Sequence, residues 1–304
     1  MSKTTLAAAF LAVFAIPVFA SEPMATFKVW PGKPPGEAQQ IGPERVRISV
    51  PPAKPQKEIT NVSEPALEMY PAPRTNNTGA ALIILPGGGF GSLKMDYEGE
   101  DFAAWLNTIG VNGIVLKYRV PIRQGLPRHQ PALQDLQRSV SLIRSKAAEL
   151  GIDPNRIGIC GFSAGAIAAA YAQARLETRA YEAADDIDKI SCKPNFSVLI
   201  YPGTLLENGK LFEDLKVTKD TPPTFIAMAH NDNTMNAVQF YIALKEAGAS
   251  AEMHIYSDGV HGFGMFPSEE PHATWTARLT EWLKYQKLLT PSTATAVTSP
   301  TAAK

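Results

Sequence analysis

Neither sign of charge dominates this chain. Lys plus Arg and Asp plus Glu number 29 each in 304 residues, and 19% of the chain is charged. It has no long basic run and no acidic tail, which removes the electrostatic footprint of a nucleic-acid binder. Cysteine is scarce, with only Cys160 and Cys192. Neither the paired-Cys spacing of a zinc site nor H-E-x-x-H occurs, so no metal is expected. The run Gly87-Gly-Gly-Phe-Gly91 lacks the Lys-Ser/Thr of a phosphate loop. No G-x-G-x-x-G opens a helix with an acid about 20 residues on, so no nucleotide cofactor is expected either. Beyond residue 20 no apolar run is long enough to span a bilayer.

What is present begins with a leader. Lys3 supplies a positive start, Leu6 to Ala20 an apolar stretch, and Val18-Phe-Ala20 a small-residue cleavage site. Residues 1–20 are therefore expected to be a signal peptide cut before Ser21, leaving an exported protein, periplasmic or secreted, with no membrane association. Export permits a disulfide. Cys160, however, sits late in one apolar run and Cys192 before the next. In neighbouring parallel strands these are opposite ends, beyond the usual Cα separation of roughly 4.4–6.8 Å, so both are predicted free.

Residues 21–289 read as a single domain, with an extended, weakly periodic lead-in over 21–58 and a disordered Pro/Ser/Thr/Ala-rich tail over 290–304. Ile59 to Tyr70 reads as an edge hairpin. Short apolar runs then alternate with helical patterns. Strands are expected at Ala80–Pro86, Val111–Tyr118, Arg156–Gly161, Phe196–Tyr201, Pro222–Ala229 and Ala251–Tyr256. Helices are expected at Glu98–Ile109, Ala132–Leu150, Ala164–Leu176, Thr234–Ala247 and Pro271–Leu288. Such alternation predicts an α/β fold, a mostly parallel sheet with helices on both faces.

The run Arg156-Ile-Gly-Ile-Cys-Gly-Phe-Ser163-Ala-Gly165 carries the chemistry. It is G-x-S-x-G between a short apolar strand and an Ala-rich helix, the setting of a nucleophile elbow: a tight strand-to-helix turn pushes the serine hydroxyl out of the sheet, and small flanking residues let the backbone pass. Such a serine needs a base, and the base needs a carboxylate to orient it. In this arrangement acid and histidine follow the serine in that order. Four histidines lie after Ser163. His254 alternates within a strand, His272 starts the last helix, and His230 reads as a loop residue. His261, in the flexible loop Asp258-Gly-Val-His261-Gly-Phe-Gly, is predicted to be the base. Asp232, the only carboxylate in Ala229-His-Asn-Asp-Asn233, is predicted to be the acid. The oxyanion hole is assigned to the backbone amides of Gly88, Gly89 and Ala164, because a glycine loop after the first main strand lets the chain approach a substrate oxygen closely.

With these residues in view, the chain resembles the exported bacterial α/β-hydrolase esterases of polysaccharide degradation, variously described as acetyl xylan esterase-like, prolyl oligopeptidase-like, feruloyl esterase-like or BD-FAE-like. The resemblance runs from about Val29-Trp-Pro-Gly32 to the last helix. Its segments include Pro86–Phe90, Tyr97–Glu100, Leu116–Arg119, Asp135–Arg138, Gly161–Gly165, Asp188–Lys193, Leu199–Pro202, Pro222–Phe225 and Gly259–Gly264. It implies the α/β-hydrolase fold, the triad Ser163, Asp232 and His261, and an acetyl or other short acyl ester of a carbohydrate as substrate. The chain departs from its relatives twice. Its acid loop, Asn231–Met235, lacks their paired aspartates, and Pro86 stands where hormone-sensitive-lipase relatives start the glycine loop with His. Glu98, Arg119, Asp135 and Arg138 are expected in structural ion pairs or at helix ends.

Three other readings share the motifs. A prolyl oligopeptidase-type peptidase has the same triad order, but residues 21–79 are too few for the propeller such enzymes carry. A non-catalytic exported binding protein would use the same scaffold with Asp232 misplaced. A long-chain lipase would want an apolar lid, and the main insertion, Glu177 to Asn195, is charged.

Overall fold

The computed structural model describes residues 22–37, 40–49 and 56–291. The leader read at residues 1–20 and nearly all of the tail read from 290 lie outside the described residues. The strands are β1 (Ala25–Lys28), β2 (Arg45–Ser49), β3 (Gln56–Thr60), β4 (Ala66–Tyr70), β5 (Ala81–Leu85), β6 (Leu93–Lys94), β7 (Asn112–Lys117), β8 (Ile157–Phe162), β9 (Ser197–Ile200), β10 (Leu206–Glu207), β11 (Lys210–Leu211), β12 (Thr224–Ala229) and β13 (Ala251–Tyr256). The α-helices are α1 (Asp101–Thr108), α2 (Gln130–Ser145), α3 (Ala164–Arg175), α4 (Met235–Glu246) and α5 (Trp275–Tyr285).

Eight strands form the central sheet in the order β1-β4-β7-β5-β8-β9-β12-β13. From β7 to β13 every neighbouring pair is parallel, while β4 and β1 run antiparallel at one edge. The interior strands β5, β8, β9 and β12 are buried along their whole lengths. That burial accounts for their unbroken apolar runs: a parallel strand covered on both faces has no solvent side to leave polar. Each such side chain withdrawn from water is worth about 1.5–3 kcal/mol.

The chain leaves β5 through α1 to β7 on one side, then returns through α2 to β8 on the other. Right-handed crossovers in opposite directions put α1 and α2 on opposite faces. Phe102 and Trp105 of α1 pack against Trp275 of α5, at ring centroids 5.3 and 6.3 Å. The reversal also makes the β5/β8 boundary a topological switch point. The loops at the carboxyl ends of those two strands diverge there and leave a crevice.

Two readings need correction. Ile59 to Tyr70 is not a hairpin. β3 pairs with β2 and β6 in a separate three-stranded sheet, whereas β4 belongs to the central one. Asn61, at φ +58°, turns the chain between the two sheets. The lead-in is also more ordered than its composition suggested: it supplies the edge strand β1, and its Trp30 donates an indole N–H to Asp135 at 2.7 Å. Asp135 in turn pairs with Arg119 at 3.0 Å, both side chains fully buried. Arg138 pairs with Asp185 at 2.6 Å and Asp188 at 2.8 Å, clamping the charged insertion onto α2. Cys160 and Cys192 are free and buried.

Candidate active site

Ser163 follows β8 at φ 52°, ψ −113°, a region that non-glycine residues occupy only where the surroundings impose it. The flanking glycines supply that constraint. A Cβ on Gly161 would lie 2.3 Å from the Gly165 carbonyl oxygen, and one on Gly165 would lie 2.1 Å from the Leu85 carbonyl oxygen. The turn is therefore pressed against β5 by backbone contact that only glycine permits. The Ser163 N–H donates to the Ile200 carbonyl, and its own carbonyl accepts from Ala166, Ile167 and Gly203.

The Ser163 hydroxyl lies 2.7 Å from His261 Nε2, and His261 Nδ1 lies 2.6 Å from Asp232 Oδ2. Asp232 sits just past β12, its second oxygen accepting the Asn233 N–H at 2.6 Å. The acid loop Asn231–Met235 thus reaches the imidazole through Asp232, its one carboxylate. The three side chains come from loops after three different parallel strands and meet at one end of the sheet. The other histidines are elsewhere. His254 pairs with Glu252 and His272 with Asp258, each at 2.8 Å. The exposed His230 donates its backbone N–H to Tyr256.

The glycine loop follows β5 across the switch point. Gly88 (φ +129°) closes its turn by accepting from the amides of Gly91 and Ser92. The N–H groups of Gly88, Gly89 and Ala164 have no acceptor among the described residues. Gly89 and Ala164 line the cleft beside Ser163, whereas Gly88 is not on its wall. The cleft encloses about 480 Å³, with Phe90, Ile167, Tyr171 and Phe212 as its apolar side and His129 and Asp214 at its far end.

Glu98 lies at a helix end, in the turn Asp96–Glu100 that leads into α1, but among the described residues it forms no ion pair, although it is 2% exposed. One oxygen accepts the Tyr201 hydroxyl at 2.7 Å and the other the Gly87 N–H at 2.6 Å. Burial pushes its carboxyl up to about 7, although the Tyr201 and Gly87 hydrogen bonds and the nearby His261 pull the other way. A Cβ on Gly87 would fall 2.7 Å from that carboxylate and 2.8 Å from Ser163 Cβ, so Glu98 lies directly behind the glycine loop. Tyr201, at φ 38°, meets the His261 ring edge-on at 5.1 Å. One buried acid thus touches groups on both sides of the serine. His129 was also missed. It stacks on Tyr171 at 3.7 Å, and burial pushes its imidazole down to about 4, so it is neutral at neutral pH. The four-residue step from Ser163 through Ile167 to Tyr171 was the one sequence signal for this wall.

Residues 67–199 match the BD-FAE family model. An acetylxylan esterase of Xylanibacter ruminicola is 30% identical over 237 residues, covering 69% of this chain and 46% of that protein. The endo-1,4-beta-xylanase B of Butyrivibrio fibrisolvens is 28% identical over 204 residues, covering 60% of this chain and 32% of that protein. The chain thus spans about half or less of the length of these curated relatives. Among solved structures, an acetyl ester-xyloside bifunctional hydrolase from Caldicellulosiruptor lactoaceticus superposes with TM-score 0.68 at 27% identity, covering 88% of this chain and 98% of that one. The sheet order and these neighbours identify the α/β-hydrolase fold.

Proposed function

We propose that this α/β-hydrolase, with its BD-FAE-matching segment 67–199, is an exported serine esterase that removes acetyl or other short acyl groups from carbohydrates. The observation that carries the reading is the unbroken contact from the Ser163 hydroxyl through His261 to Asp232, at 2.7 and 2.6 Å, opening beside the unpaired amides of Gly89 and Ala164.

In this mechanism Ser163 Oγ attacks the ester carbonyl while His261 Nε2 takes its proton. Asp232 fixes the tautomer by accepting from Nδ1 and stabilises the imidazolium. The Gly89 and Ala164 amides, which line the cleft beside Ser163, receive the developing oxyanion. Each such donor is worth about 10²–10³ in rate. His261 then protonates the leaving alcohol, activates a water, and the acyl-enzyme is hydrolysed. No step calls for a cofactor. The carbohydrate half of the proposal draws on the xylan-related names of the relatives, and export draws on the leader in residues 1–20.

The test is acetate release from acetylated xylan, beside p-nitrophenyl acetate and butyrate, for wild type and Ser163→Ala. Serine-dependent release from the polymer is expected. Turnover of the small esters alone would overturn the carbohydrate assignment. No serine-dependent turnover of any ester, with Ser163 inert to a fluorophosphonate, would favour a binding protein on this scaffold.

A further inference from the structure

Helix α3 begins at the nucleophile, and its cleft-facing residues recur every fourth position: Ile167, Tyr171 and Arg175. Residues four apart share a helix face. At 1.5 Å per residue, the row from Ser163 to Arg175 extends roughly 18 Å along the helix axis. Ile167 and Tyr171 line the serine cleft, while Arg175 lines a second cavity of about 420 Å³. The two cavities share Pro127, His129 and Asp214 as a common wall, so the second continues the first.

Their chemistry differs. The serine cleft is largely apolar near Ser163. The second cavity offers both donors and acceptors: Arg175, Gln130, Glu182 and Asp214. The Arg175 side chain is 31% exposed, its guanidinium makes no hydrogen bond among the described residues, and the Asp214 carboxylate lies 4.0 Å from Nη2. Asp214 is held facing the wall by the Tyr171 hydroxyl at 2.8 Å. The other guanidinium lining the cavity, Arg179, is engaged by Ser141, Asp188 and Ile190. A cavity with an idle donor, adjacent acceptors and balanced charge suits a neutral polyhydroxylated ligand better than an ion or an acyl chain.

We propose that this cavity is a distal sugar-binding subsite, so that the substrate is an oligosaccharide ester lying along α3. The esterified residue sits at Ser163 and a later sugar ring sits against Arg175 and Asp214. The inference rests on the carbohydrate esterase reading above and adds to it a direction and a minimum length for the alcohol half. The outer guanidinium nitrogens of Arg175 donate to a sugar oxygen, Asp214 and Glu182 accept from hydroxyls, and the His129–Tyr171 stack lies between the two sites.

The experiment compares kcat/KM on acetylated methyl xyloside and on acetylated xylotriose, with p-nitrophenyl acetate as a third substrate. It uses the wild type, Arg175→Met and Arg175→Lys. The wild type is expected to favour the trimer about tenfold, chiefly through KM, as one added charge-assisted hydrogen bond would give. Arg175→Met is expected to bring the trimer-to-monomer ratio close to one. Arg175→Lys, which keeps the charge but replaces the forked guanidinium with a single ammonium, is expected to recover less than half of the preference on a logarithmic scale. Because the readout is a ratio within one protein, a general loss of active enzyme cancels. A wild-type ratio near one, or a ratio unmoved by Arg175→Met, would overturn the subsite alone. Turnover of p-nitrophenyl acetate with neither sugar ester hydrolysed would overturn the carbohydrate reading and the subsite with it.

Discussion

Ser163 and the loops that carry its partners are held in different ways. On the serine side, Gly161, Gly165 and Gly88 each lie where a single added carbon would come within 2.1–2.3 Å of backbone. On the histidine side, Asp232 and His261 hang from loops after β12 and β13, with side chains 11% and 46% exposed. Their side chains are held by three short hydrogen bonds: Ser163 to His261, His261 to Asp232, and the Asn233 N–H to Asp232. The first half is positioned by close packing, which has no slack. The second is positioned by polar contacts, which can break and re-form. A nucleophile has to sit within a few tenths of an ångström of its amide donors, whereas a base must accept a proton, hold it and turn to a different acceptor.

That contrast predicts two modes of failure. Gly165→Val drives a branched side chain into the Leu85 carbonyl and is expected to cost about 3 kcal/mol or more. It should abolish soluble expression or lower the thermal midpoint together with activity. His261→Ala is expected to lower kcat/KM on p-nitrophenyl acetate by on the order of 10⁶, with the thermal midpoint close to wild type. If the histidine variant unfolded and the glycine variant did not, the contrast would be wrong. Asp232→Asn is the next largest: it leaves a side chain of the same shape but favours the wrong imidazole tautomer, for a loss of about 10⁴ in kcat. A loss under tenfold would instead give the orienting role to another carboxylate, such as Asp258, which in this structure is bound to His272.

The same division governs what could be read from the chain. The serine half was legible because close backbone approach demands glycine, and glycine at fixed offsets is visible in a sequence. Asp232 and His261 were legible from order along the chain, since each occupies the loop after a late apolar strand. Glu98 was not. A glutamate at the start of a helical pattern looks like any solvated helix-end acid, and only tertiary packing places it under Gly87 and Tyr201. The stack of His129 on Tyr171 joins the start of α2 to the middle of α3, and no local pattern announces it. β1 was missed for a related reason: four residues with alternating partial exposure, flanked by Pro and Gly, carry too short a period to register.

Glu98 lies between the two halves, and its substitutions give the smaller and sharper tests. Glu98→Leu leaves the Gly87 N–H without its acceptor and is expected to cost about 10² in kcat, through a displaced oxyanion loop. Glu98→Gln is milder. The neutral acid can accept from Gly87 with one oxygen and donate to the Tyr201 oxygen with the other, and a glutamine can do both. Its kcat on p-nitrophenyl acetate should fall less than about tenfold. Its informative readout is stability against pH. An unfolded glutamate titrates near 4.3, whereas burial holds Glu98 at about 7 in the fold. The folded state therefore binds more protons between those values. The stabilising contribution of the neutral acid is complete below the lower value and is lost as pH rises through the upper one. From this group the wild type should lose on the order of 3 kcal/mol between pH 4 and pH 8. Glu98→Gln, which does not titrate, should lose none of it, so the gap between the two urea-unfolding free energies should change steadily in favour of the variant as pH rises. A pH-independent gap would mean that Glu98 is ionised throughout, and the glycine loop would then be held by a full charge.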